Sequence, residues 1–209
     1  RTFSDNDEGK QIVEDIFEKA MTKQLPYSEF AILYRTNSQS RSFEESLRRK
    51  NIPYIIYGGI SFYQRKEIKD LLAYLKLVVN PYEDEALKRV VNYPARGLGD
   101  TSMNRIILYA KENNQKLWDT FQDIEKVPDI QNRVKQVIGD FTTMIKSFAV
   151  QTEMNAHEVA SGMAKSSGLL SELYKDKSVE GVSKYENFQE LLNSIKEFVE
   201  NDEIIENEE

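Results

Sequence analysis

Two short runs limit the folds open to this chain. Residues 30–34 (FAILY) and 53–57 (PYIIY) carry the continuous apolar, β-branched and aromatic character of buried strands, and nothing of comparable strength recurs after Gly59. Between them residues 42–50 read as a helix, so strand, helix and strand follow one another as in a βαβ unit. In front, Ile12, Val13, Ile16, Phe17 and Ala20 fall on one face of an amphipathic helix over residues 8–22. Behind, Ile68, Leu71, Leu72, Tyr74, Leu75 and Leu77 line a long helix that stops before Asn80 and Pro81. Further helices are predicted over residues 84–91, 101–113, 130–148, 156–165 and 185–199. The predicted fold is therefore an α/β N-terminal part with a short parallel sheet, followed by a mainly α-helical part. A charged, proline-containing connection at residues 125–129 divides the chain into residues 1–125 and 126–209. Trp118 and Phe121, three apart on a short predicted helix, are assigned to the core.

Composition removes several classes of chemistry. The 209 residues, 40% of them hydrophobic, can bury a real core. With no cysteine and a single histidine, disulfide frameworks, thiolate metal sites and Ser-His-Asp triads are disfavoured, and no metal site is expected. His157-Glu158 lacks the second histidine of a zinc-protease motif, so His157 reads as a surface residue. No apolar run approaches the roughly 18 residues of a membrane span, and a soluble cytoplasmic protein is expected. A net charge of −7 argues against nucleic acid until its distribution is considered. Residues 31–111 hold 14 basic against 8 acidic side chains, a local +6, while the remainder holds 14 against 27, or −13. Any DNA contact is expected in the basic segment. The tail, residues 199–209, with six carboxylates and no base, reads as a solvated end.

Three groups of residues can carry chemistry. Tyr34 and Arg35 sit at the predicted carboxyl end of a strand, where α/β folds place ligands. A phenol ring offers a base a stacking face, and an arginine stabilises charge on a transferring phosphoryl group. Alone, such a pair is a weak signal. In RGLGDTS, Gly97 and Gly99 permit a tight turn, Thr101 is placed to cap the next helix, and Arg96 adds positive charge, a combination suited to gripping a phosphate. The block GGISFYQRK (residues 58–66) joins backbone freedom, two aromatics and two bases, as a strand-tracking surface requires. The same block also reads as a helix entry with Phe62 and Tyr63 in the core. Glu44 and Glu45 are adjacent on a helix and do not face each other, so they are not read as an acid-base pair.

AILYRTNSQSR (residues 31–41), IPYIIYGGISFYQRKEIKDLLAYLKLVVNP (residues 52–81) and NYPARGLGD (residues 92–100) together resemble the UvrD/PcrA/Rep superfamily 1 DNA helicases. Order and spacing match, and the first segment resembles motif IV of that family. The resemblance is close over residues 30–121 and looser beyond. It implies part of a RecA-like motor domain, called 2A, in residues 1–125, and part of a helical subdomain, called 2B, in residues 126–209. It further implies that Tyr34 stacks on the adenine of ATP and that Arg35 is the catalytic arginine finger. The resemblance assigns Phe62 a structural role and Arg65 or Lys66 a contact role, and Arg65, Lys66, Arg96, Gly97, Leu98, Gly99 and Thr101 are the corresponding DNA-binding candidates. Gln39 and Arg41 also match motif IV and are assigned to helix capping and local structure.

The chain contains neither a GxxxxGK[ST] phosphate loop nor an acidic DExx pair. An internal piece of a longer helicase is therefore expected, inactive alone, with ATP and Mg2+ used by the whole enzyme. Expected partners are single-stranded and duplex DNA, the first motor domain of the same protein, and repair proteins. Two other readings fit the same residues: the motor of an AddA/RecB-like helicase-nuclease, and a non-enzymatic helical adaptor in which the Tyr34-Arg35 pattern is accidental.

Overall fold

The computed structural model describes residues 5–35, 39–57, 59–151 and 153–208, the side chains of 5, 6 and 201–208 excepted. Gly58 and the motif IV residues 36–38 lie outside the described residues. The helices are α1 (Asp5–Lys23), α2 (Ser40–Arg49), α3 (Lys66–Val79), α4 (Asp84–Val90), α5 (Asp100–Glu112), α6 (Leu117–Gln122), α7 (Asn132–Ala149), α8 (Ala156–Ser166), α9 (Leu169–Lys175) and α10 (Val179–Glu208). None of the described helices is long and apolar enough to cross a membrane. The chain divides into two compact units, Arg1–Ile68 and Lys69–Glu209.

In the first unit α1 lies against α2 so closely that a Cβ on Gly9 would stand 2.7 Å from the carbonyl oxygen of Ser42. Val13, Leu47 and Ile52 form the centre of this unit, with Phe17, Tyr27, Ile32 and Tyr54 packed around them. Most of α2 is buried, including the polar residues Ser40, Arg41, Ser42, Glu44 and Ser46. The two predicted strand segments are present as extended chain, but the expected parallel sheet is not formed among the described residues. The reason lies in their faces. A parallel strand is covered on both sides, whereas here Ile32, Ile52 and Tyr54 turn inward while Leu33 is 93% exposed, Ile55 76% and Tyr57 87%. One face is covered, and the outward apolar side chains are bare.

The second unit is helical, as the periodicity predicts. Leu71, Tyr74 and Leu77 of α3, Leu87 and Val90 of α4, Ile106 of α5 and Ile138, Phe141 and Ile145 of α7 are buried in it. Trp118 and Phe121 of α6 are buried too, as expected for core residues. The Asp70 carboxylate on α3 accepts from Arg89 of α4 at 2.7 Å and ties the two helices across a short connection. Asn155 and Glu158 form a reciprocal capping box that starts α8. His157 is half-buried rather than a plain surface residue, 3.2 Å from the Ser161 hydroxyl one turn on.

Because the backbone oxygen of Ser42 cannot yield as a flexible side chain does, Gly9→Ala is expected to separate α1 from α2 and cost about 1–3 kcal/mol. Thermal unfolding followed by circular dichroism tests this, and an unchanged midpoint would mean that the two helices are not in the described contact.

Candidate functional site

In the first unit the chain approaches α2 through Tyr34 and Arg35, both exposed. The Tyr34 ring is stacked on Phe43, with centroids 6.2 Å apart and planes 24° from parallel, and remains 37% exposed. One ring face is thus backed by the protein. The Arg35 backbone N–H donates to the side-chain oxygen of Gln39 at 3.0 Å, leaving the guanidinium side chain outward. Gln39 occupies the N-cap position of α2 but makes no side-chain cap bond, which corrects its assignment as a helix cap: its amide oxygen reaches back to Arg35 instead. Arg41 is structural as expected. It is 2% exposed and makes a two-pronged pair with Glu45 at 3.1 Å to each oxygen.

The two glutamates set aside in the sequence organise this unit by pointing to different partners. Glu44 is buried and accepts from the Phe62 backbone N–H at 2.9 Å, from the Tyr54 hydroxyl at 3.1 Å and from the Ser61 hydroxyl. Arg48 donates to the same Tyr54 hydroxyl at 3.1 Å. Glu45 accepts from Tyr63 at 2.6 Å as well as from Arg41, and burial together with this carboxylate pushes the Tyr63 phenol up. Residues 61–63 are therefore bonded to α2 through carboxylates. Phe62 is fully buried, as its structural assignment requires. Arg65 is only 6% exposed. Its guanidinium donates to the Ser40 hydroxyl at 3.2 Å and lies over the Phe62 ring, and burial lowers its pKa. Lys66 is exposed. Of the two bases in the block, Lys66 is the one presented to solvent.

In the second unit the RGLGDTS turn is built as a loop held from within. Asn92 accepts from the N–H groups of Arg96 and Leu98 at 3.0 and 3.1 Å, and Gly97 adopts a left-handed φ of 83° that glycine tolerates without a Cβ penalty. Leu98 is 2% exposed and anchors the turn, while Gly97, Gly99 and Thr101 are exposed. Thr101 does not cap α5. The N-cap is Gly99 and the helix begins at Asp100, so Thr101 lies inside the first turn because the chain enters the helix earlier than predicted.

Arg96 faces inward. Its guanidinium donates to the carbonyls of Val90, Val91, Pro94 and Ser167 at 3.0–3.2 Å and to the Tyr74 hydroxyl at 2.6 Å. Burial pushes the Tyr74 phenol up to about 12 despite the nearby guanidinium, and its one proton is directed to the Tyr93 carbonyl at 2.6 Å with the Val90 carbonyl at 3.1 Å. Two features of this region escape sequence reasoning. Gly168, also left-handed with φ 85°, follows the Ser167 carbonyl that Arg96 holds, so a second glycine turn is tied to the first. Arg133 of α7, exposed, has a guanidinium nitrogen 3.5 Å from where a Gly97 Cβ would stand. The paired left-handed glycines were the available signal for the first; nothing in the local sequence near Arg133 marks the second.

Compared with known proteins, the whole chain, residues 1–209, matches the model of the UvrD-like helicase C-terminal domain. The chain belongs to that family. Relatives named ATP-dependent DNA helicase PcrA are 38% identical over 199 residues in Leuconostoc citreum and 36% identical over 200 residues in Staphylococcus epidermidis. Another of that name, from Staphylococcus aureus, is 34% identical over 200 residues. Each alignment covers 95% of this chain and 27% of the relative, so the chain spans about a quarter of the length of these helicases. The resemblance to the UvrD/PcrA/Rep helicases and the family match agree.

The inward fork of Arg96 carries a consequence for stability. Arg96→Ala is expected to destabilise the domain by about 2–3 kcal/mol, since bonds from a charged donor and buried acceptors are lost together. Arg96→Lys should recover only part, because an ammonium cannot match the planar fork. Denaturant melts of the two variants check this, and a wild-type midpoint for Arg96→Ala would refute the clamp.

Proposed function

We propose that this chain is part of motor domain 2A (residues 1–125) and part of helical subdomain 2B (residues 126–209) of an ATP-dependent 3′–5′ DNA helicase. The observation that carries the reading is the pairing of Tyr34, one ring face backed by Phe43 and the ring still accessible, with the outward Arg35 beside it. A base stacks on an accessible phenol face, and an adjacent guanidinium reaches phosphate oxygens. ATP then binds in the cleft between this region and a first motor domain that lies outside this chain. Arg35 stabilises the charge that spreads over the γ-phosphoryl group as its bond to the leaving oxygen lengthens. The fragment alone does not hydrolyse ATP, because the phosphate loop and the acidic pair are not in its sequence. Mg2+ belongs with those motifs: among the described residues no group of carboxylates converges to hold a metal, and no step here runs through one.

Cleft opening and closing moves single-stranded DNA over the motor, with Lys66 the exposed base of its block and Arg65 supporting α2 from within. The turn of residues 96–101 faces duplex phosphates through the exposed Gly97, Gly99 and Thr101, with Arg96 and Leu98 holding it from behind and Arg133 adding charge. The bare outward faces of residues 31–34 and 52–57 fit strands of a parallel sheet whose second face is covered by elements outside this chain. The protein works in the cytoplasm in repair or replication. That the relatives are named PcrA favours this over the helicase-nuclease reading.

The test is single-stranded-DNA-stimulated ATPase activity of the whole protein. Arg35→Ala is expected to lower kcat by about 10³-fold or more, as loss of an arginine finger does, while Tyr34→Ala mainly raises KM for ATP. Wild-type kinetics for both variants would remove the motif IV assignment.

A further inference from the structure

We propose that Gln39 and Phe43 are positioning residues for nucleotide turnover, Gln39 fixing the backbone that carries Arg35 and Phe43 fixing the ring plane of Tyr34. The inference rests on the helicase reading above and assigns work to two side chains that make no contact with nucleotide. Arg35 and Tyr34 are exposed and lie just ahead of α2, where a long guanidinium side chain would sample many orientations. A reacting group misplaced by 1 Å can lose about 10²-fold in rate, so something must restrict this segment.

Gln39 and Phe43 are four residues apart, hence on one face at the start of α2. The helix that carries them is held on several sides. Arg41 and Ser40 are 2% and 1% exposed, Arg65 bonds Ser40, and Glu44 and Glu45 tie α2 to residues 61–63. From this anchored helix the Gln39 amide oxygen takes the Arg35 N–H at 3.0 Å, and the Phe43 ring, 7% exposed, lies nearly parallel to Tyr34 at 6.2 Å. A neutral amide suits the first task, since it accepts from the backbone without placing a carboxylate beside the guanidinium that must meet phosphate. An aromatic ring suits the second, because a base stacked on the free face of Tyr34 would extend a stack already begun by Phe43. The two constraints act on different parts of the reaction. Phe43 serves binding of the base, and Gln39 serves the orientation of the finger during phosphoryl transfer.

The experiment measures kcat and KM for ATP, with single-stranded DNA saturating, in the whole protein carrying Gln39→Leu, Gln39→Glu, Phe43→Leu or Phe43→Tyr, beside Arg35→Ala and Tyr34→Ala. Gln39→Leu should lower kcat by about ten- to 10²-fold at nearly constant KM, and Gln39→Glu, which keeps an acceptor oxygen but sets a carboxylate beside the guanidinium, should recover only part of that loss. Phe43→Leu should raise KM by about two- to tenfold with kcat nearly constant, the factor of one lost ring contact, and Phe43→Tyr should restore KM. If Arg35→Ala and Tyr34→Ala are impaired while Gln39→Leu and Phe43→Leu match wild type, the positioning roles are overturned and the helicase reading stands. A loss shared by the conservative variants and tracking a lower folded fraction by circular dichroism overturns them equally, since it marks structural roles alone. If Arg35→Ala and Tyr34→Ala behave as wild type, the helicase reading fails and the positioning roles fail with it.

Discussion

The guanidinium of Arg96 joins parts of the second unit that the chain visits far apart. It reaches the last carbonyls of α4, the Tyr74 hydroxyl on α3, and the Ser167 carbonyl between α8 and α9, 71 residues away. Helix ends leave carbonyls without intrahelical donors, and a planar fork of five N–H groups can satisfy several at once where an ammonium would leave most unmet. The left-handed turns at Gly97 and Gly168 are linked through this one side chain, since Arg96 precedes the first and bonds the Ser167 carbonyl that precedes the second. The exposed surface that faces DNA in the proposed function is thus shaped by a cation turned away from it.

The first unit obeys a similar logic with the charges reversed. Glu44 and Glu45 are buried or half-buried on α2, and their oxygens take donors from residues 54–63 and from Arg41, while Arg48 donates to the Tyr54 hydroxyl that Glu44 also holds. A buried carboxylate is tolerated only when such donors are complete. Their completeness makes α2 a rigid base for Tyr34 and Arg35, so the residues that handle nucleotide in the proposed function rest on a helix held by polar bonds as well as by Phe43 and Leu47.

Much of this was legible in the residues. Helical periodicity placed α1, α3, α5 and α7 to within a few residues, and the two-glycine turn was located by Gly97 and Gly99. The core role of Trp118 followed from its spacing to Phe121. What the residues left open has one cause. A side chain's partner is not written in its neighbours: Arg65 and Arg96 look like surface cations in a basic block, yet one bonds Ser40, 25 residues back, and the other Ser167. Thr101 has the residue type of a cap, but the backbone entered α5 at Gly99.

The sequence by itself determined the helices, the family, the absence of a phosphate loop and the position of Tyr34 and Arg35 before a helix. These depend on local periodicity and on residue order, which the chain carries directly. Only the tertiary structure decided which cations face inward, which face of Tyr34 is backed, and that the outward faces of residues 31–34 and 52–57 stay bare among the described residues. Those outcomes depend on hydrogen-bond partners and packing surfaces brought together from distant positions, and no local pattern specifies which of several polar groups a folded chain will bring within 3 Å of a donor.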